Sequence, residues 1–211
     1  MTLTEKLKEH ANGSAKRLPL ESQNIMKSAI DQLVTSSIFD NALKTGDTIP
    51  TISLSNHLGE TIDVKDILLK NRLVLTFYRG GWCPYCNLEL KALQSVLPEM
   101  EAKGAKLIAI SPELPDNSMT TVEKNQLSFQ VLSDINNKVA EAFNLVFTLP
   151  PDLQEIYRGF NIDLDTNQGN TQQQLPIAAT YIIEQDGSIS YDYLAEDYKL
   201  RADPQDILKA L

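Results

Sequence analysis

Apolar and polar positions along this chain follow two different periods, which alternate from one segment to the next. Apolar residues that recur every three or four positions predict helices or helical turns, at 3–10, 20–43, 64–69, 87–100, 118–127, 138–143, 150–160 and 204–211. Short apolar runs between turn residues predict strands, at 52–54, 73–78, 105–110, 129–132, 179–183 and 188–193. The turn Gln185-Asp186-Gly187 predicts a hairpin between the last two strands. This order predicts an α/β fold with a central sheet of mixed direction, flanked by helices.

The first 44 residues are predicted to form a helical arm. A short amphipathic turn from Leu3 to His10 is expected to break at Asn12-Gly13-Ser14, and a longer helix to run from Leu20 to Leu43. The turn-forming segment 45–50 follows. We therefore divide the chain into an N-terminal helical extension, residues 1–44, and a main domain, residues 45–211. The extension is expected to pack on that domain or on a second copy of the chain, which would make a homodimer.

Polar residues rich in Asn, Gln and Thr fill the segment 161–174, which is predicted to be a solvated loop. Glu113 and Asp134 each follow a predicted strand, and we interpret them as loop and capping residues.

The two cysteines of the chain, Cys83 and Cys86, lie three positions apart. An apolar strand breaks on Gly80-Gly81 just before them, and Pro84 suits the first position of the helix that follows. The first turn of a helix has free backbone N–H groups and the positive end of the helix dipole. A thiolate placed there is stabilised, its pKa falls, and the thiolate is the reactive form. The spacing therefore predicts a thioredoxin-like redox motif.

The cysteine pair allows three other interpretations. A zinc site needs four ligands, and the two histidines, His10 and His57, lie far away without ligand-like spacing. A structural disulfide across three positions would close almost no loop and stabilise little. Two inert buried thiols are the third interpretation. Redox chemistry is favoured over all three, with no metal and no cofactor expected.

Composition excludes two classes of partner. The net charge is −9 without a basic cluster, which argues against a nucleic-acid partner. No segment approaches the roughly 18 apolar residues of a membrane span, and the charged N-terminus shows no export signal. A cytoplasmic location is therefore expected, where closely spaced cysteines suit reversible dithiol chemistry.

Four blocks of sequence carry a resemblance to a known family: Phe77–Cys86, Ser111-Pro112-Glu113, Leu132-Ser133-Asp134 and Ala179–Gly187. They resemble the alkyl hydroperoxide reductase/thiol-specific antioxidant branch of the peroxiredoxins, in the family's order, over roughly residues 45 to 211. The resemblance implies a thioredoxin-like fold, reduction of a hydroperoxide substrate at a cysteine, and regeneration by a thioredoxin-like or glutathione-type reductant.

The chain departs from that family at its active-site pattern, P-x-x-x-T-x-x-C. The last position holds Cys86, while Cys83 stands at the threonine and Arg79 at the proline. Ala178 stands where the family has its catalytic arginine. The tetrapeptide Cys-Pro-Tyr-Cys is similar to that of glutaredoxins, and the preceding Trp82 to thioredoxin.

The peroxiredoxin resemblance implies that Cys86 attacks the peroxide and that Cys83 resolves the resulting sulfenic acid as an intramolecular disulfide. The thioredoxin resemblance implies the reverse, with Cys83 as the nucleophile. We expect the first assignment. Arg79, seven residues before Cys86, is predicted to replace the missing arginine near the departing oxygen. Two other functions remain open: a dithiol-disulfide oxidoreductase acting on proteins, and a redox-sensing interaction protein.

Overall fold

The computed structural model describes residues 1–211 and contains one seven-stranded sheet with helices on both faces. The strands are β1 Ser53–Asn56, β2 Thr61–Asp63, β3 Arg72–Phe77, β4 Ala105–Ser111, β5 Gln130–Ser133, β6 Val146–Thr148, β7 Gln174–Pro176, β8 Ala178–Ile183 and β9 Ile189–Ala195. The helices are α1 Leu3–Ala15, α2 Leu20–Thr35, α3 Ile38–Asn41, α4 Val64–Leu68, α5 Pro84–Ala102, α6 Pro115–Asn125, α7 Lys138–Ala142, α8 Pro151–Gly159, α9 Leu164–Gln168 and α10 Pro204–Ala210. A 3₁₀ turn, Ile135–Asn137, precedes α7.

The sheet has mixed direction, as the sequence predicted. Its strand order is β2-β1-β5-β4-β3-β8-β9, and β6 pairs with β7 in a separate ribbon. Strand β3 runs parallel to β4 and antiparallel to β8, and β8 and β9 form the predicted hairpin. Leu73 to Phe77 in β3 are fully buried, because helices cover both faces. The central strand therefore delivers the cysteine motif from the middle of the core.

The N-terminal arm differs from its predicted outline. The predicted break at Asn12-Gly13-Ser14 was wrong, because α1 continues through it to Ala15. A glycine inside a helix costs about 1 kcal/mol, and the buried Leu3 and Leu7 offset this by packing in one cluster with α5 and α10. The longer helix ends at Thr35 instead of Leu43, and the separate α3 follows.

Helix α2 also packs on the rest of the chain, since its buried Ala29 shares a cluster with Leu153 and Tyr157 of α8. The arm therefore contacts the domain, one of the two arrangements expected. Its division from residues 45–211 stays a prediction, as does a homodimer.

The polar segment 161–174 is not entirely a loop. Asp163 accepts a hydrogen bond from the Thr166 backbone N–H at 3.1 Å, and this cap starts α9. The segments β2, β6 and β7 were not predicted; each has three residues, too few for a clear period. The capping role of Asp134 is confirmed, since its carboxylate accepts from two backbone N–H groups at the start of α7.

Candidate active site

The loop between β3 and α5 depends on its two glycines. Gly80 has φ of 148°, a conformation that side chains other than hydrogen rarely allow. A Cβ on Gly81 would lie 2.0 Å from Oγ1 of Thr121. The Gly81 backbone N–H donates to Oε2 of the buried Glu113 at 2.9 Å. Glu113 is therefore a loop residue, as predicted, and it fixes the chain just before the cysteines.

Helix α5 begins at the cysteine motif. Cys83 is the N-cap residue, with φ −86° and ψ 115°, and Pro84 occupies the first helical position. The Asn87 side-chain amide donates to the carbonyl oxygens of Gly81 and Cys83, at 2.8 and 3.1 Å. Asn125 donates in turn to Oδ1 of Asn87 at 2.7 Å. The motif is thus held by a chain of amide contacts as well as by the helix itself.

Both cysteine side chains are buried, but they differ in what they face. Cys83 lines a cavity of about 230 Å³, whereas Cys86 does not. The cavity wall is largely apolar and includes Trp82, Tyr157 and Tyr198. A small molecule in this cavity would therefore meet Cys83 before Cys86.

The N-terminal arm forms one side of the same cavity, through His10, Ser14, Arg17, Leu18 and Met26. The His10 ring stands edge-on to Tyr85, with 4.9 Å between the ring centroids. The arm, which lies outside the family resemblance, is therefore part of the candidate site.

Arg79 is placed beside the motif, and its guanidinium is surrounded by aromatic rings. It is only 3% exposed and lies 4.4 Å from the ring centroid of Tyr198 and 5.0 Å from that of Trp82. It donates a hydrogen bond to the Tyr157 hydroxyl, and its Nε has no partner. No carboxylate lies within ion-pair distance of it. Arg79 is thus a buried cation without a carboxylate counter-ion.

A second buried arginine, Arg201, was not found from the sequence. Its Nη2 lies 3.1 Å from Sγ of Cys86, and its Nε donates to Oε2 of Glu89 at 2.5 Å. Arg201 and Glu89 side chains are each 1% exposed. No local pattern links Arg201 to the motif, because it lies 115 positions after Cys86. Its place between the apolar residues Leu200 and Ala202 is the one feature that could have indicated burial.

The surroundings of the two sulfurs separate their pKa values. Burial disfavours the Cys83 thiolate, but the hydrogen bond from Cys86 and the positive charges of Arg79 and Arg201 outweigh it and lower the pKa of Cys83 to about 5. Burial raises the pKa of Cys86, and the neighbouring Cys83 thiolate raises it further. Burial likewise raises the pKa of Glu89 to about 7, against the opposing effect of Arg201. The resting dithiol therefore carries its negative charge on Cys83.

Comparison with known proteins identifies the family of this chain. The family model described as AhpC/TSA family matches residues 45–192, more than half of the chain. The chain belongs to the AhpC/TSA family. Peroxiredoxin Bcp of Escherichia coli strain K12 is 30% identical over 105 residues, which cover 50% of this chain and 67% of that protein. A putative peroxiredoxin bcp of Buchnera aphidicola is 33% identical over 103 residues, covering 49% of this chain and 65% of that protein.

Solved structures agree on the fold of this AhpC/TSA member. Peroxidoxin BcpB from Mycobacterium tuberculosis superimposes with a TM-score of 0.63 at 19% identity, over 80% of this chain and 96% of the other. A PrxQ variant from Xylella fastidiosa gives 0.63 at 16% identity, over 79% and 94%. The predicted thioredoxin-like fold is confirmed, and the chain is a peroxiredoxin-type oxidoreductase. None of its helices is both long and apolar enough to cross a bilayer.

Proposed function

We propose that this protein reduces hydroperoxides through the Cys83–Cys86 dithiol, and that Cys83 is the attacking sulfur. The observation that carries the proposal is that Cys83 lines the cavity and carries the resting negative charge, while Cys86 lies behind it. The cavity of about 230 Å³ suits a small hydroperoxide better than a polypeptide.

The chemistry then runs in two steps. The Cys83 thiolate attacks the terminal peroxide oxygen, the O–O bond breaks, and the departing oxygen takes a proton to leave as water or an alcohol. Cys83 becomes a sulfenic acid. Cys86 then attacks the Cys83 sulfur, the S–O bond breaks, and water leaves as the disulfide forms. Negative charge develops on the departing oxygen in the first step, and the guanidinium of Arg79 is the neighbouring cation suited to it.

This assignment reverses the cysteine roles that the peroxiredoxin resemblance implies. In that mapping Cys86 attacks and Cys83 resolves. Burial raises the pKa of Cys86, and the Arg201 charge beside it is shared with Glu89. The thiolate is the form that reacts with peroxide, so we favour Cys83.

The test is mass spectrometry of the wild type and two single-cysteine variants after one equivalent of hydrogen peroxide. We expect Cys86→Ser to form a sulfenic acid on Cys83 that dimedone captures. We expect Cys83→Ser to react no faster than a free thiol, because Cys86 does not line the cavity that peroxide enters. The opposite pattern would assign the attack to Cys86. If neither variant reacts above the free-thiol rate, the peroxidase proposal itself fails.

Regeneration requires a thiol donor that opens the Cys83–Cys86 disulfide. We propose a thioredoxin-like or glutathione-type reductant, in the cytoplasm. Coupled assays with each donor separate the two, since NADPH is consumed only when the matching reductase system returns the dithiol.

A dithiol-disulfide oxidoreductase is the second candidate, and one observation favours it. A low-pKa cysteine at the helix N-cap with a buried partner three positions later also suits disulfide exchange. In this dithiol form Cys83 is only 1% exposed, however, which hinders its attack on a protein disulfide. Stopped-flow peroxide consumption together with reduction of a model protein disulfide distinguishes the two activities, because the peroxidase should be fast in the first assay alone.

A further inference from the structure

Two buried arginines lie beside two buried cysteines, and each arginine is held differently. Arg79 contacts aromatic rings and a phenol and has no carboxylate partner. Arg201 is fixed by Glu89 on one side and by two backbone carbonyls, of Tyr198 and Leu200, on the other. Its remaining nitrogen, Nη2, points at Sγ of Cys86.

We propose that Arg201 is a second catalytic arginine, which stabilises the Cys86 thiolate during its attack on oxidised Cys83. Glu89 pairs with Arg201 and so limits the electrostatic effect of the guanidinium on the Cys86 sulfur. This inference rests on the proposed function for the order of the two steps. The contact itself, 3.1 Å between Nη2 and Sγ, is independent of that order.

The need for such a cation follows from the two steps. In the resting enzyme the Cys83 thiolate opposes a second negative charge on Cys86. Oxidation of Cys83 to a sulfenic acid removes the Cys83 charge, so it no longer repels the Cys86 thiolate at the step in which Cys86 must ionise. A guanidinium already in contact with Sγ then stabilises the Cys86 thiolate without rearrangement. The Cys86 proton is given up, and the hydroxide that leaves Cys83 is protonated to water, so the step is balanced.

Glu89 is a positioning residue, since it acts through Arg201. Its carboxylate lies on the same face of α5 as Cys86, three residues later, and also accepts from Thr76 Oγ1 at 3.3 Å. A paired Arg201 gives Cys86 less positive charge than a free one. Removing the Glu89 charge should therefore favour the Cys86 thiolate, and removing the Arg201 charge should disfavour it. A structural ion pair without electrostatic influence on Sγ would leave the pKa of Cys86 unchanged in both variants.

The experiment titrates one thiol at a time by thiolate absorbance. In the Cys83→Ser background, Arg201→Gln should raise the pKa of Cys86 by at least about one pH unit, Arg79→Gln should raise it much less, and Glu89→Gln should lower it. In the Cys86→Ser background the order of the arginines should reverse, with Arg79→Gln having the larger effect on Cys83. The other titratable groups that face these sulfurs or the ion pair stay unchanged: Tyr78, Tyr85, Glu113, Tyr157 and Tyr193.

The fluorescence of Trp82 supplies a second, kinetic measurement, because Trp82 is the only tryptophan and lies beside the motif. After one equivalent of peroxide, Arg201→Gln should slow disulfide formation at least about tenfold and oxidation of Cys83 by less. If peroxide does not oxidise Cys83 at all, the proposed function fails while the titrations still decide the role of Arg201.

Loss of one buried charge can unfold a protein, so a paired variant is included. Glu89→Gln with Arg201→Gln removes both charges, and its Cys86 pKa should exceed that of Glu89→Gln alone by at least about one pH unit. An unchanged Cys86 pKa in every Arg201 variant would overturn the proposal. So would equal effects of the two arginines on both thiols.

Discussion

Substituting Gly81 by alanine tests whether the loop before the cysteines is fixed as tightly as its contacts indicate. The new Cβ would lie 2.0 Å from Thr121 Oγ1 and 3.2 Å from its Cβ. Ordinary contact distances are about 3.5–4.0 Å, so the Thr121 hydroxyl must rotate away, and its Cβ at 3.2 Å still forces the loop and α6 apart. Forced packing of this kind costs about 1–3 kcal/mol of folding free energy.

The same movement should also reduce the rate of reaction with peroxide. Gly81 is two residues from Cys83, and its N–H is held by Glu113 at 2.9 Å. A displacement of about 1 Å at a reacting group can cost about a hundredfold in rate. We therefore expect Gly81→Ala to lose both stability, measured by urea unfolding, and the rate of the Trp82 fluorescence change after peroxide.

Two further variants make this prediction specific. Thr121→Ala removes the atom at 2.0 Å, so the double variant Gly81→Ala/Thr121→Ala should recover part of the stability and rate. Gly159→Ala is the matched control, because its Cβ would meet nothing within 4 Å at the end of α8. A Gly81→Ala protein as stable and as fast as this control would refute the reasoning.

Three other predictions concern the sulfurs and the arm. Because the pKa of Cys83 is lowered to about 5, the second-order rate constant with peroxide should be level between about pH 6 and 8 and fall below about pH 5. A midpoint near 8.5 in the stopped-flow pH profile would contradict this. Leu7→Ala should lower the unfolding free energy by about 2–5 kcal/mol because Leu7 is buried, whereas the exposed Lys8→Ala should have little effect in the same urea titration. Peroxide-treated protein should contain an intramolecular Cys83–Cys86 disulfide, and a covalent dimer as the main band on a non-reducing gel would count against it.

Local chemistry explains what the sequence predicted well. The glycine pair, Pro84 and the apolar spacing after the cysteines all lie in one continuous stretch, so they indicate a strand, a turn and a helix N-terminus directly. The hairpin of β8 and β9 likewise depends on one short turn, Gln185-Asp186-Gly187. These features need no knowledge of distant parts of the chain.

The missed features depend on where distant segments meet. Arg201 contacts Cys86 only because the segment after β9 returns across α5, and no residue near Arg201 encodes that path. Arg79 was proposed from its place in the sequence, but its aromatic surroundings come from Tyr157 and Tyr198 on other elements. Gly13 was interpreted as a break because its helix propensity is poor, and the burial of Leu7 in the tertiary core overrides that preference.

The site is assembled from both ends of the chain, and this has a consequence during synthesis. Cys83 and Cys86 leave the ribosome well before Arg201, and α1 is made before α5, the helix on which it packs. On the growing chain neither sulfur has its full set of cationic neighbours, so each titrates near the ordinary value of about 8.5 and stays mostly protonated at neutral pH. Sensitivity to oxidants thus arises late, as a property of the folded protein, and the nascent thiols are spared until the C-terminal segment has docked.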